Sequence, residues 1–209
     1  MNYEETIGKY TVDDHLIESF RQDQKARLHI YLPAQRCVVL GRGSKVHLEV
    51  NAQACKEDDM PLLRRRGGGC SVFLDEGNVI VSLVAPAQGF GRIGHYFRQI
   101  SLWLIEGLAQ VGLPSIRQEG ISDLAIGDHK IGGSCLYREK DLLYYSTTLL
   151  VDPQLELMKR YLLHPPREPE YRQGRSHKDF VATLQTNSIK TANDLKKELS
   201  QVLKVPTLD

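Results

Sequence analysis

The stretch LRRRGGGCSVFLDEGNVIVSL, residues 63–83, decides which fold and which chemistry to expect of the whole chain. Three consecutive arginines, Arg64, Arg65 and Arg66, run straight into three consecutive glycines, Gly67, Gly68 and Gly69. An alternating segment follows, then a turn at Glu76-Gly77-Asn78, then a β-branched run. The pattern predicts a strand, a glycine loop and a β-hairpin. Glycines carry no Cβ, so such a loop can take positive φ and approach a ligand closely. Its successive N–H groups can form a concavity for anions, and flanking arginine adds fixed positive charge. The ligand that suits this chemistry is a carboxylate or a phosphate. Triple glycine is elsewhere often a flexible linker, but here it is pinned between two strand-like runs. No Gly-Lys-Ser/Thr closes the stretch as in a P-loop, and a strand stands where a dinucleotide fold would begin its helix.

Outward from this stretch, the chain reads as an ordinary soluble domain. Its 209 residues are enough for one domain with a substantial core, and 41% are hydrophobic and 25% charged. Lys+Arg 27 against Asp+Glu 26 leaves a net charge of +1, which argues against general nucleic-acid binding through a basic face. The four cysteines, Cys37, Cys55, Cys70 and Cys135, are widely spaced, with no C-x-x-C pair to suggest zinc or a disulfide framework. That usage fits a reducing compartment. The opening residues MNYEETIGKY contain no apolar leader, and nowhere do about 18 apolar residues run together, so neither secretion nor membrane spanning is expected. Cytoplasm is the expected location.

Leu16, Ile17 and Phe20 fall at helical spacing after Asp13 and Asp14, either of which can cap. Residues 27–32 alternate as a strand, 37–40 form a second, and a short helix is expected around Glu49, Asn51, Cys55 and Lys56. A loop is expected at 85–91. The best helix is 93–111, where Phe97, Ile100, Leu104, Leu108 and Val111 recur at helical intervals and Leu102 and Trp103 widen the apolar face. Strands at 122–126, 129–137 and 142–151 with tight turns suggest an antiparallel meander. A helix at 153–163 leads to an irregular segment, 164–175, expected to act as a surface lid or brace. Thr191 and Asp194 form a capping box for a last helix. Helices that do not alternate regularly with strands predict an α+β fold with a mostly antiparallel sheet flanked by helices.

A second segment carries chemistry. In GDHKIGGSC, residues 127–135, Lys130 sits between a hairpin turn and the pair Gly132-Gly133. Small neighbours let a ligand lie against the lysine. Asp123, a few residues upstream, is a carboxylate that can hold magnesium through phosphate oxygens.

Together the two segments resemble the biotin/lipoate A/B protein ligase family, and within it the lipoate-protein ligases. The family's arginine-rich run and GGGAV-F-H-D-x-G-N are matched by RRRGGGCSVFLDEGN. Its G-R-N-D-L is matched at 120–124, its K-[VI]-[SA]-G-[SA]-A at 130–135, and its T-L-L strand by Thr148-Leu149-Leu150. VVLGRG at 38–43 and Glu49-Val50-Asn51 resemble its V-x-G-R and E-x-N element. The resemblance covers residues 12–184. Arg66 stands where the family has Ser or Thr, Leu74 where it has His, and Tyr145-Ser146-Thr147 where it has H-H-G.

The resemblance implies a biotin/lipoate protein ligase-like catalytic domain, related to class II aminoacyl-tRNA synthetases. The implied activity uses ATP to convert lipoate or octanoate to acyl-AMP, then passes the acyl group to a lysine of a lipoyl-carrier protein. An E2 lipoyl domain or a glycine-cleavage H protein is such a carrier. By the same resemblance Lys130 is catalytic, bridging the carboxyl group and the α-phosphate. Arg64, Arg65, Gly67, Gly68, Gly69, Asp75, Asn78, Gly133 and Ser134 are expected to serve acyl or nucleotide binding, and Asp123 to place magnesium. A single catalytic domain over 1–209, without the accessory carboxy-terminal domain of many bacterial ligases, is expected, and a separate accessory subunit is a candidate partner. The alternative is an octanoyl or lipoyl transferase working through a thioester on Cys135 or Cys70, which stand where the ligases have alanine. A biotin ligase and a non-catalytic acyl- or carrier-binding relative are weaker readings.

Overall fold

The computed structural model describes residues 6–87, 92–186 and 188–208. Two sheets make the frame. The larger has six strands in the order β2 (Arg27–Tyr31), β6 (Asn78–Pro86), β10 (Leu142–Leu150), β9 (His129–Glu139), β8 (Asp123–Ile126) and β7 (Arg117–Glu119), every neighbouring pair antiparallel. The smaller has the order β1 (Gly8–Lys9), β4 (Leu62–Arg64), β3 (Cys37–Leu40) and β5 (Val72–Leu74). Its β1/β4 and β3/β4 pairs are parallel, so the fold is α+β and mostly antiparallel, with a mixed second sheet.

One face of the large sheet is closed by two long helices, α4 (Ile93–Gln110) and α7 (Ala192–Val202), because their apolar stripes meet a row of strand residues. Leu104, Leu108, Leu195 and Leu199 pack with Val79, Val81, Leu124, Ile131 and Leu149 in one cluster. Leu102 does not belong to that face. It is exposed on the outer side of α4, one helical step off the stripe, whereas Trp103 packs inward and its indole Nε1 donates to the Lys204 carbonyl at 3.0 Å. The capping box at Thr191 and Asp194 is present at the start of α7.

The opposite face is shared. Helix α1 (Asp14–Asp23) lays Leu16, Ile17 and Phe20 on Val84, Leu142 and Tyr144. The small sheet lays Cys37, Val39 and Leu74 on Tyr31 and Ile80. The segment read as one short helix is two, α2 (Val46–Glu49) and α3 (Ala52–Glu57), with the Asn51 side chain capping the second through the Ala54 N–H at 3.2 Å. They dock on α5 (Leu155–Tyr161) through the Val50–Leu162 bridge. The loop expected at 85–91 begins only after β6 ends at Pro86, and residues 88–91 lie outside the described residues. Segment 164–175 contains a 3-10 turn, Glu170–Arg172, and leads to a one-turn helix, α6 (His177–Phe180), whose Phe180 is buried.

Candidate functional site

Between the two sheets lies a cavity of about 800 Å³. The large sheet supplies one wall because residues paired across it share a face. In the rung Tyr31, Ile80, Thr148, Gly133 and Asp123 each residue pairs with the next strand's. One step along is the rung His29, Ser82, Ser146 and Cys135. Ile80, Thr148, Gly133, Asp123, Ser146 and Cys135 line the cavity. The facing wall is the end of the glycine loop with β5, and segment 165–181 closes the third side.

Lys130 stands in this cavity, 29% of its side chain exposed, with its Nζ donating to Asp123 Oδ1 at 2.8 Å. The other oxygen, Asp123 Oδ2, accepts from the Tyr171 hydroxyl at 3.0 Å. Gly133 makes room for the ammonium: a Cβ there would lie 2.9 Å from Lys130 Nζ. The backbone of Lys130 is tied to the chain after α6, since its carbonyl accepts from the Ala182 N–H at 2.9 Å. Asp123 has both oxygens engaged, and among the described residues no group of three His, Cys, Asp or Glu side chains could hold a metal. Magnesium would therefore find no cage of protein side chains among the described residues and would need phosphate oxygens beside Asp123.

The glycine loop is held by side chains aimed at its own backbone. Arg65 Nη1 donates to the Val39 carbonyl at 3.0 Å, and Nη2 donates to the Gly68 and Cys70 carbonyls at 2.7 and 2.9 Å. Arg64 Nη1 donates to the carbonyls of Gly41 and Ser44, and Arg66 pairs with Asp14 at 3.0 Å. Gly69 has φ +87°, and a Cβ on Gly67 would strike Cys135 Sγ at 2.6 Å, so these two positions require glycine. Buried Glu49 ends the loop by accepting from the Ser71 N–H at 2.6 Å and its Oγ at 2.8 Å.

The residues expected from the sequence therefore divide. Lys130, Asp123, Gly133, Ser134, Arg65, Gly69, Cys70 and Cys135 come together around the cavity. Arg64, Gly67, Gly68, Asp75 and Asn78 do not line it. Asp75 and Asn78 are wholly buried in the turn between β5 and β6, where Asp75 accepts from the N–H groups of Gly77 and Gln154. The Ser134 side chain turns toward the helical face, to Tyr145 at 2.6 Å and Thr147 at 3.1 Å.

Sequence reading missed five residues of this region. Asp13 precedes α1 without capping it, because its carboxylate is buried on the polar rung of the large sheet. It accepts from Ser82 at 2.6 Å, Tyr144 at 2.7 Å, Tyr31 at 3.0 Å and His29 at 3.0 Å. Tyr10, a cavity residue, bonds Tyr31 at 3.1 Å, and burial pushes its hydroxyl up to about 12. Tyr171 and Arg172 come from the irregular segment, whose prolines and charges carry no periodic signal. His177 also lines the cavity, and burial, with the nearby charges of Arg172, His164 and Lys130, lowers its pKa to about 4.

The probable lipoate-protein ligase A of Mycoplasma genitalium is 28% identical over 151 residues, 72% of this chain and 44% of that protein. The lipoate-protein ligase A of Psychrobacter cryohalolentis is 28% identical over 147 residues, 70% of this chain and 42% of that protein. The chain thus spans less than half the length of either relative. Among solved structures, the bi-partite lipoate protein ligase of Thermoplasma acidophilum, described with its E2 lipoyl domain, has the same fold. Its TM-score is 0.74 at 24% identity, over 91% of this chain and 76% of that one. The lipoyl protein ligase A/B catalytic-domain model matches residues 9–204, and the chain belongs to that family.

Proposed function

We propose that the chain is the catalytic domain of an ATP-dependent lipoate-protein ligase, and that Lys130 is its central catalytic residue. The observation that carries this reading is the Lys130 ammonium, held at 2.8 Å by Asp123 over the side-chain-free Gly133 inside the cavity. A lipoate or octanoate carboxylate lies against that ammonium. One carboxylate oxygen attacks the α-phosphorus of ATP, the bond to the departing pyrophosphate breaks, and acyl-AMP forms. The lysine amine of a lipoyl-carrier domain then attacks the acyl carbon, AMP leaves with the C–O electron pair, and the amine loses its proton. Lys130 stabilises the negative charge gathering on carboxylate and phosphoryl oxygens, most strongly where water is excluded. A structural neighbour bound with ATP, and another described with its E2 lipoyl domain as a bi-partite ligase, support ATP, a lipoyl-domain partner and an accessory polypeptide.

The thioester route rests on Cys70 and Cys135 facing the cavity. Burial pushes both thiols up from their ordinary pKa, which lowers the thiolate fraction a nucleophile needs. The test separates the routes. The protein is incubated with lipoate or octanoate, ATP and a lipoyl domain, and the domain's mass is measured. Transfer that needs ATP, survives Cys70→Ser and Cys135→Ser, and disappears in folded Lys130→Ala bears out the ligase. Transfer from an acylated carrier without ATP, abolished by either cysteine change, overturns it.

A further inference from the structure

The transfer step must dispose of a proton, because the carrier's amine nitrogen carries a surplus one once its bond to the acyl carbon has formed. Most groups of the cavity that could take it are already committed. Asp123 accepts from Lys130 at 2.8 Å and from Tyr171 at 3.0 Å. Glu168 accepts from the Gly174 N–H at 2.8 Å and bonds His164 at 2.9 Å, and Glu119 accepts from Arg117 at 2.9 Å. Glu170 is exposed to bulk solvent. Burial raises the pKa of Cys70, Cys135, Tyr10 and Tyr171, which keeps those groups protonated.

His177 differs. It lines the cavity, its ring has no hydrogen-bond partner among the described residues, and neither ring nitrogen is sealed from solvent. The fold sets it beside Lys130. Where α6 ends, Val181 pairs in parallel with Lys130, and the Ala182 N–H donates to the Lys130 carbonyl at 2.9 Å. His177 stands one helical turn before Val181, whose N–H donates to the His177 carbonyl at 3.0 Å, so the two share a face of that turn. Val181 lines the cavity as well.

Burial lowers the His177 pKa to about 4, helped by three cationic groups from three elements: Arg172 of the 3-10 turn, His164 of the chain after α5 and Lys130 of β9. The imidazole is therefore neutral through the neutral range, and a neutral imidazole keeps one nitrogen lone pair for a proton. The phosphate of an acyl-AMP lying among those cations offsets their repulsion of an imidazolium. Bound intermediate thus makes the ring a stronger base at the moment the amine attacks.

We infer that His177 is the general base of acyl transfer, its imidazole accepting the proton that the carrier's lysine amine gives up. The amine nitrogen bonds to the acyl carbon, the bond from that carbon to the AMP oxygen breaks with its electron pair, and the surplus proton passes to His177 and then to solvent. The inference deepens the ligase reading and rests on it for the acyl-AMP.

Preformed octanoyl-AMP and a lipoyl domain isolate this step, and the domain's gain in mass during a single turnover reads it. His177→Gln lowers the transfer rate by about a hundredfold or more, while octanoyl-AMP affinity changes by less than about threefold. His177→Ala leaves room for a small base and recovers with added imidazole, beyond what imidazole achieves without the enzyme. It also serves if the glutamine variant does not fold. Wild-type transfer in a folded variant, a loss explained by weaker octanoyl-AMP binding, or no recovery with imidazole overturns the inference. If the wild type makes octanoyl-AMP from ATP and the variants transfer normally, the base assignment fails and the ligase reading stands. If the wild type neither makes nor uses octanoyl-AMP but moves an acyl group between carriers, the ligase reading fails; imidazole rescue of His177→Ala in that transfer upholds the base. No transfer by any route overturns both.

Discussion

Neighbouring glycines in β9 make opposite predictions, and the contrast isolates what Lys130 does. A methyl group on Gly133 would sit 2.9 Å from Lys130 Nζ and 3.0 Å from its Cε. Ordinary contact requires about 3.5–4.0 Å, so the ammonium must retreat by roughly 0.5–1 Å. The obstructing atoms are the end of a flexible side chain, so the fold yields easily. Alanine in a strand recovers about 0.5 kcal/mol of backbone entropy relative to glycine, and the partly exposed Lys130–Asp123 pair contributes about the same. The Tm of Gly133→Ala should therefore stay within about 2 °C of wild type. Activity should not, since a misplacement of about 1 Å can cost on the order of a hundredfold in rate.

Gly132→Ala reverses the pattern. Its methyl would lie 2.8 Å from the Thr148 carbonyl oxygen, part of the β9–β10 ladder, and 3.2 Å from Leu149 Cδ2. Backbone cannot retreat as a lysine tip can, and overpacking of this kind costs about 2–3 kcal/mol, or roughly 5–10 °C in Tm for a chain of this size. The assay is acid-dependent exchange of pyrophosphate into ATP, run beside thermal unfolding. Gly133→Ala should lose about 10–100-fold in exchange rate at nearly unchanged Tm. Wild-type exchange in that variant, or a loss accompanied by the same fall in Tm as Gly132→Ala, would refute the assignment of Lys130.

Three further outcomes follow from the packing. Gly67→Ala drives a methyl onto Cys135, 2.6 Å from Sγ and 2.9 Å from Cβ, so loop closure and acid binding should suffer; Cys135→Ala in the same chain removes the nearer clash and should restore acid affinity in part. Asp13→Asn confronts hydroxyl and imidazole donors with an amide N–H₂, and should cost about 3 kcal/mol, read as a fall in Tm of about 6–12 °C. His177 carries a pH signature. Its folded pKa of about 4 lies below the ordinary histidine value of 6.5, so the unfolded chain binds more protons between those limits, and stability is lost as pH falls through that window. His177→Gln lacks this loss. The wild-type stability advantage should shrink by about 1 kcal/mol from pH 7 to 4.5, the value being discounted for partial exposure, as followed by urea unfolding at each pH.

What sequence can reveal here depends on whether the signal is local. The 93–110 helix was legible because one apolar stripe repeats at 3.6 residues, and β6, β9 and β10 because β-branched and aromatic residues alternate between turns. Lys130 was legible as a candidate because small residues surround it, whereas its pairing with Asp123 was not, since that carboxylate was expected to place magnesium. The strand at 37–40 and the strands around the glycine loop were legible, but their assembly into a second sheet was not. Its β1 has two residues, too few for any period, and the parallel β1/β4 and β3/β4 pairs join segments far apart in the chain. Asp13 was read as a helix cap because a carboxylate beside a helical run fits that pattern. Its use as an acceptor for Ser82 and Tyr144, 69 and 131 residues away, exists only once the sheet is assembled.

The arginine run shows why composition alone misassigns charge. Three glycines provide carbonyls but no side chains, so a glycine loop folded against a sheet edge has acceptors that nothing local can satisfy. Arginine, with five donors on a planar fork, is the residue best able to satisfy several of them at once. Arg65 does this for carbonyls 26 residues earlier and 3 and 5 residues later, and Arg64 does it for Gly41 and Ser44. Arginine and glycine runs therefore form one structural device, and their adjacency in sequence is a requirement of loop stability before it is a sign of anion binding.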